Sequence, residues 1–357
     1  MFVVAHNGAR IWGGAERATA LLLAGLQARG HRVMLLCNDE LVAGRAGEMG
    51  VPTRIVPLGG DGMIPHAIRL AAVLRRLRPD AFIVGTFRKL FLAALGGWLA
   101  RVPRVVARVG LETDTPRSAK YRLALPRWVD AVVVNATRIR AAFDALPGLG
   151  PERVFVIHNG VVASERRQTH GAVRAQLGIA AEAPVVGAVA RLAPQKRLDR
   201  LLRAVAALPA EVHCVVAGDG EERESLAALA EELGIAGRVR FLGHRDDTGD
   251  VLAALDVFVV SSDREGLSNA MLEALAAGVP IVSTAVSGAD DALEPFADGS
   301  APGIVVGSSD DDLASALRRL LTDAELRARM GEAGRRRAAE RFSFDAMLDR
   351  WEAVLRP

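Results

Sequence analysis

Short β-branched runs alternate with longer helical patterns along the whole 357-residue chain, the rhythm that parallel sheets built from βαβ units require. In the first half the expected strands are 2–5, 32–37, 54–57, 81–85, 104–109, 131–135 and 154–158. The second half repeats the pattern at 184–190, 213–218, 238–243, 257–262, 279–284 and 303–307. Single hydrophobic cores stop growing at roughly 250–300 residues, so the chain is expected to be α/β with two doubly wound halves. Their junction is expected in 161–176, where polar residues interrupt the rhythm, and everything after Asp310 reads as continuous helix.

Half of the residues are hydrophobic, 24% are charged, and no run of about 18 apolar residues occurs, which excludes disordered and helical membrane-spanning classes. The two cysteines, Cys37 and Cys214, lie in different halves and exclude a disulfide framework or a cysteine-based zinc site. With MFVVAHNG opening the chain and no leader pattern after it, a reducing, cytoplasmic setting is expected. Residues 1–163 hold 22 basic and 11 acidic side chains, and residues 164–357 hold 23 and 31. A basic half suits an anionic partner, either a phosphate-bearing acceptor or a membrane surface; solvated arginines explain it equally well. Nucleic acid is not expected, because only 16 aromatic residues are available for base stacking and the basic residues are dispersed.

Open parallel sheets bind ligands at the carboxyl ends of their strands. After the first strand, Gly13 and Gly14 precede a helix patterned on Leu22, Leu23 and Leu26, offering backbone N–H groups to a phosphate, though a plain turn would look the same. After the strand at 184–190, Arg191 and Lys196 form a cation pair suited to a diphosphate. The segment SSDREGLSNAMLEALAAGVPIV sets Glu265 and Glu273 eight residues apart, with Gly266 and Ser268 at a helix start. A helical rise of ~1.5 Å per residue separates those backbones by ~12 Å, too far for a glycosidase pair at ~5–9.5 Å. The spacing suits one carboxylate on a sugar and a second on a ribose, with the helix start facing a diphosphate. A fourth loop, GDGEER from Gly218, approaches the dinucleotide pattern G-x-G-x-x-G but has Arg223 at the third glycine.

Asp310, Asp311 and Asp312 contain a D-x-D spacing, but SSDDDLASAL reads as a capped helix start, and no metal site is expected. His6 and His158 sit at strand ends and are expected to serve their own loops, and both cysteines are expected to be core thiols. No G-x-S-x-G, H-E-x-x-H or P-loop occurs.

Taken in order, GGAER, HNGV at 158–161, ARLAPQKRLD at 190–199, AGDGEER at 217–223, RFLGHRDD at 240–247 and EGLSNAMLEALAAGVPIV at 265–282 resemble the retaining GT-B glycosyltransferases of the glycogen-synthase-like family 4. The resemblance spans essentially the whole chain and is most specific in the second half. It implies two Rossmann-like domains facing a cleft: an acceptor domain over 1–163, a nucleotide-sugar domain over 164–335, and a terminal helix over 336–357 that crosses back to the first domain. It implies catalytic roles for Arg191 and Lys196 on the diphosphate and for Glu265 on the donor sugar, with Glu273 on the ribose. Gly266, Leu267 and Ser268 would form the turn over sugar and phosphate, Gly13, Gly14 and Gly218 would contribute to substrate binding, and His244 and Arg245 would lie in the base-contacting segment. No cofactor is implied beyond a nucleotide-sugar co-substrate, a UDP-sugar foremost, and no metal.

One departure stands out: RVGLETDTP at 108–116 lacks the histidine that many relatives carry there, leaving Arg108, Glu112 and Asp114. Two readings of function follow. The first is a retaining, metal-independent transferase acting on a glycan, lipid-linked or small-molecule hydroxyl. The second is a catalytically silent member that binds nucleotide sugars or serves as a partner subunit; intact Arg191, Lys196, Glu265 and Glu273 favour the first. Arg69, Arg75, Arg76 and Arg78, with Arg88 and Lys89 opening the apolar segment 90–100, also raise a peripheral contact with an anionic membrane at the cytoplasmic face, unless that segment is a buried helix.

Overall fold

The computed structural model describes residues 1–59, 63–114, 116, 118–162 and 168–356, and the chain divides into two compact units. The first comprises Met1–Asn159 with Phe344–Pro357, the second Gly160–Ser343. In the first unit the strands are β1 (Phe2–Asn7), β2 (Arg32–Cys37), β3 (Thr53–Ile55), β4 (Ala81–Val84), β5 (Arg104–Val109), β6 (Ala131–Val134) and β7 (Val154–Val156). They pair in the order β3-β2-β1-β4-β5-β6-β7, all parallel. In the second unit β8 (Val185–Val189), β9 (His213–Ala217), β10 (Val239–Phe241), β11 (Val257–Val260), β12 (Ile281–Thr284) and β13 (Gly303–Val306) follow the order β10-β9-β8-β11-β12-β13, again parallel. Each expected strand is present within a few residues of its expected position.

Every residue of β1, β4, β6 and β11 is buried, as parallel strands covered by helices on both faces must be. The period of two divides each unit's apolar residues between two layers. In the first unit Val4, Phe82 and Val132 join one cluster while Val3, Ile83 and Val133 join the other. In the second, Val186, Val216 and Val259 face one way and Val185, Val215 and Phe258 the other. Cys37 and Cys214 are buried and partnerless in disulfide terms, and burial pushes both thiols up to about 12.

The tail is three helices, where the sequence suggested one. Helix Asp310–Thr322 ends at Asp323, whose side chain accepts a hydrogen bond from Leu326 N at 2.8 Å and starts helix Ala324–Arg341. That second helix packs on helix Asn269–Ala277 of its own unit. Phe342 is buried in the second unit's core, Val161 donates to its carbonyl at 2.8 Å, and Ser343 bridges to Val161. Only helix Phe344–Leu355 lies with the first unit, where Met347, Leu348, Trp351 and Val354 pack against the layer containing Val3 and Leu26. Arg29 holds it from outside through Asp345 (3.1 Å) and Asp349 (2.6 Å). The tail therefore divides at 343/344, not at 335/336, because Phe342 and Ser343 are fixed by contacts to the second unit. The other expected boundary, 163/164, is likewise displaced, since the second unit begins at Gly160 and Val161 is bonded to Phe342 within it; 163–167 of the expected junction lie outside the described residues.

Candidate active site

In both sheets the connection order reverses next to the first strand of the unit, between β1 and β4 and between β8 and β11. Such a switch point leaves a crevice at the carboxyl ends of the two strands. In the second unit the loops flanking it carry Arg191 and Lys196 after β8, and Glu265 and Ser268 after β11.

Lys196 closes the short turn Pro194–Lys196 and forms an ion pair with Glu265, the side chains being 16% and 14% exposed. The cation expected on a diphosphate and the carboxylate expected on a sugar are thus each other's partner. Ser262 Oγ lies 3.5 Å from the same carboxylate oxygen, and together with Ser261 and Ser268 these residues line a small pocket against the end of β8. Arg191 is half-buried, and among the described residues its guanidinium has no ion-pair partner. Ser268 caps helix Asn269–Ala277, its hydroxyl accepting from Met271 N at 3.4 Å. Gly266 and Leu267 are buried, pressed against helix Ser287–Leu293 so closely that a Cβ on Gly288 would run into the Gly266 carbonyl. Glu273 lies on the same helix, is 6% exposed, and lines a different cavity with Asp256 and Arg327.

Gly218 and Gly220 have a steric reason to be glycine. Both stand at positive φ (133° and 157°), and a Cβ on either would strike the carbonyl of Ala190 or Leu192. The loop after β9 is thereby laid against the loop after β8, with Leu192 N bonded to Asp219 O at 2.9 Å and Gly218 N to Gly243 O at 2.7 Å. The glycine pattern that resembles a dinucleotide fingerprint is accounted for by this close approach. His244 and Arg245 follow on exposed backbone, each engaged by an acid of its own loop: His244 with Asp246 at 3.2 Å and Arg245 with Asp247 at 2.7 Å.

In the first unit Gly13 is the extended residue before helix Gly14–Ala28. Behind it Asn7 Nδ2 lies 3.5 Å from Glu16, and Arg108, reaching from β5, donates to Thr19 (2.7 Å), Asn159 (3.0 Å) and the Ala15 carbonyl (3.3 Å). Burial lowers the Arg108 guanidinium to about 10 against the opposing charge of Glu16, and burial raises the Glu16 carboxyl. Asp114 is lifted to about 6 by burial, with Arg88 opposing. His6 is fully buried, its Nε2–H donating to Val56 O (3.1 Å) in the segment after β3 and not in its own loop, and it is pushed down to about 4 by burial, so it serves the fold as a neutral ring. Asp310, Asp311 and Asp312 form the first turn of a helix capped by Ser309, which accepts from Asp312 N at 3.0 Å. The segment 90–100 is the buried alternative: in helix Leu90–Leu99 six residues are buried, and Lys89 turns inward to Gly59 O at 2.7 Å.

The sequence reading missed the charged frame behind Lys196. Arg200, only 3% exposed, donates to Ser261 O (2.6 Å) and Asp263 (2.9 Å), and Asp263 also accepts from Arg197 (3.2 Å). QKRLDRLL shows these arginines as the polar face of an amphipathic helix, and nothing local says that Arg200 is covered by a segment some sixty residues later.

Comparison with known proteins places this arrangement. The family described as "Glycosyl transferases group 1" matches residues 171–337, and "Glycosyltransferase Family 4" matches residues 12–165. The lipopolysaccharide core biosynthesis glycosyltransferase LpsE of Rhizobium meliloti is 37% identical over 291 residues, covering 81% of this chain and 79% of the relative. The chain belongs to the group 1, family 4 glycosyltransferases. Its fold matches solved structures that share little sequence. HepE of Anabaena in complex with UDP-glucose superimposes with a TM-score of 0.86 at 22% identity, covering 99% of both chains. WaaG, a glycosyltransferase involved in lipopolysaccharide biosynthesis, gives 0.76 at 21% identity with the same coverage. The architecture is GT-B, with two Rossmann-like parallel-sheet domains, and the protein is a transferase of that family.

Proposed function

We propose that this glycosyltransferase moves a sugar from a nucleoside diphosphate sugar, a UDP-sugar foremost, to a hydroxyl of a lipid-linked or glycan acceptor, retaining the anomeric configuration and using no metal. The observation that carries the reading is the Lys196–Glu265 pair at the switch point of the second unit, with Arg191 earlier in the loop that carries Lys196. As the bond between the anomeric carbon and the diphosphate oxygen breaks, negative charge grows on the leaving group. Fixed cations in a partly desolvated site stabilise that charge far better than water does. Arg191 supplies a two-pronged donor and Lys196 a point charge. The acceptor oxygen bonds to the anomeric carbon from the face the diphosphate leaves, and its proton passes to a departing phosphate oxygen. Glu265 accepts hydrogen bonds from sugar hydroxyls, with the helix start at Ser268 directed at the phosphates; Glu273, which the sequence pattern assigns to the ribose, lines a separate cavity and is given no part in this step.

The names of LpsE and WaaG support a lipid-linked acceptor, and the surface of the first unit supports attachment at a membrane. Residues 63–128 contain 13 basic and 3 acidic side chains, and of the basic ones Arg108 and Lys89 turn inward. On helix Ile64–Leu77 the exposed Ile64 and Ile68 share a face with Arg75, which reaches Leu99 O at 2.8 Å beside the exposed Trp98. Apolar side chains among unopposed arginines fit an anionic leaflet, each basic residue adding about 1 kcal/mol. No helix among the described residues is long and apolar enough to cross a membrane.

The test is a panel of UDP-, GDP- and ADP-sugars scored by thermal shift and by donor hydrolysis, with Lys196→Ala as control. Binding without turnover against any acceptor would move the reading to a silent binding subunit. For the surface, wild type should sediment with anionic vesicles at low salt and be released as salt rises, whereas Ile68→Asp should stay in solution. Equal recovery with neutral and anionic vesicles would remove the membrane from the proposal.

A further inference from the structure

The turn that carries Lys196 is held in place by charge and not by its own backbone preference. Arg197, the residue after it, stands at φ +48°, the left-handed region that side-chain-bearing residues avoid at a cost of roughly 1–2 kcal/mol. Its guanidinium is bonded to Asp199 (3.0 and 3.1 Å) and to both oxygens of Asp263 (3.2 and 3.3 Å), which offsets that strain. Arg200 lies beneath, buried, with one nitrogen on Ser261 O and the other on Asp263. From the opposite side Ser261 Oγ donates to Lys196 O at 2.9 Å, and Asp263 N donates to Gln195 O at 3.0 Å. The loop after β8 and the loop after β11 are therefore stitched together on either side of the Lys196–Glu265 pair. Asp263 is the shared knot. Burial works to raise its carboxyl, but the bonds from Arg200 and Arg197 hold it below the ordinary range.

We propose that Arg200 and Asp263 are positioning residues for the donor cation: they fix the turn Pro194–Lys196 against the segment after β11 so that Lys196 stands beside Glu265 when the diphosphate arrives. The inference rests on the donor role of Lys196 proposed above. Neither residue touches substrate. The arrangement also explains why two arginines and an aspartate are spent on a turn that a glycine could make without strain. A preorganised cation loses less freedom on binding than one that must be collected from solvent.

The test is a double-mutant cycle read in nucleotide affinity, using whichever of UDP, GDP and ADP binds the wild type most tightly. Asp263→Ala is the main variant because its side chain is 42% exposed and Arg200 keeps its bond to Ser261 O when the carboxylate is removed. It should weaken nucleotide binding about five- to tenfold in the wild type and have no effect in the Lys196→Ala background, since it acts only through that lysine. Asp263→Asn, which keeps the hydrogen-bond acceptor, should recover part of the loss. Arg200→Lys should behave like Asp263→Ala, because a single ammonium cannot span Ser261 O and Asp263 as the guanidinium fork does. Equal losses in both backgrounds, or no loss in the wild type, overturn the proposal. If Lys196→Ala itself leaves affinity unchanged, or if none of the three nucleotides binds, the donor assignment beneath it fails instead.

Discussion

The two units have the same strand order around their switch points, yet they equip the crevice in opposite ways. In the second unit the flanking loops present charge: Arg191 with no ion-pair partner among the described residues, Lys196 and Glu265 paired at the rim, and an arginine–aspartate frame behind them. In the first unit the corresponding loops turn their polar groups on one another. Asn7, Thr86, Thr19, Asn159 and Arg108 are joined in hydrogen bonds around Glu16. The pKa directions record the contrast, since Glu16 and Asp114 are raised by burial while Asp263 and Asp199 are held low by arginines. One scaffold thus carries charged groups at the strand-end loops of one unit and a self-satisfied polar cluster at those of the other.

The largest expected effect is on the charged side. Arg191→Ala and Lys196→Ala should each lower the transfer rate 10²–10³-fold, about 2.7–4 kcal/mol in the transition state, with unfolding midpoints close to wild type. Near-wild-type turnover of both would erase the contrast. On the other side, Arg108→Ala should lower stability by about 1.5–3 kcal/mol in urea unfolding, because its buried partners lose a charged donor, while nucleotide affinity stays as it was. A loss of affinity with intact stability would make Arg108 a site residue.

A smaller effect separates the units by pH. Asp114 has a folded value of about 6 against an ordinary 3.8, so its contribution is fully present below pH 3.8 and is lost as pH rises through about 6. Asp114→Asn should therefore be more stable than wild type at pH 7, by about 1 kcal/mol given its partial exposure, with the advantage gone near pH 4. Asp263 runs the other way: its folded value is depressed, so its contribution is present above its ordinary value and lost as acid protonates it. Denaturant titrations across pH with Asp263→Asn should show a deficit at pH 7 that closes on acidification. The smallest expected effect is none at all: on the proposed role of Arg191 and Lys196, EDTA should leave transfer unchanged, and restoration of a lost rate by Mg²⁺ or Mn²⁺ would mean that the cations alone are insufficient.

Strand positions were legible because a buried parallel strand must be β-branched and apolar over its whole length, and RVMLLC, AVVVN and VFVVSS carry that requirement locally. Arg191, Lys196, Glu265 and Ser268 were legible for a similar reason, since each stands at a strand end or helix start that the same pattern locates. Other features were not. The tail read as one helix because its apolar spacing is continuous, and its breaks depend on the cap at Asp323 and on Ser343 meeting Val161. Glycines at 218 and 220 looked like a nucleotide fingerprint, although carbonyls of a neighbouring loop require them.

By itself, then, the amino-acid sequence determined the strand rhythm, the two doubly wound halves, the family and the chemical types at the strand-end loops of the second unit, all of which are set by residues near one another in the chain. Tertiary structure alone decided that Lys196 meets Glu265, that Arg200 is covered by Ser261 and Asp263, and that Phe342 and Trp351 belong to different cores. Those pairings join segments that are distant in the chain or part neighbours onto separate cores. Burial and charge act through space, so they appear only when both segments have been folded into place.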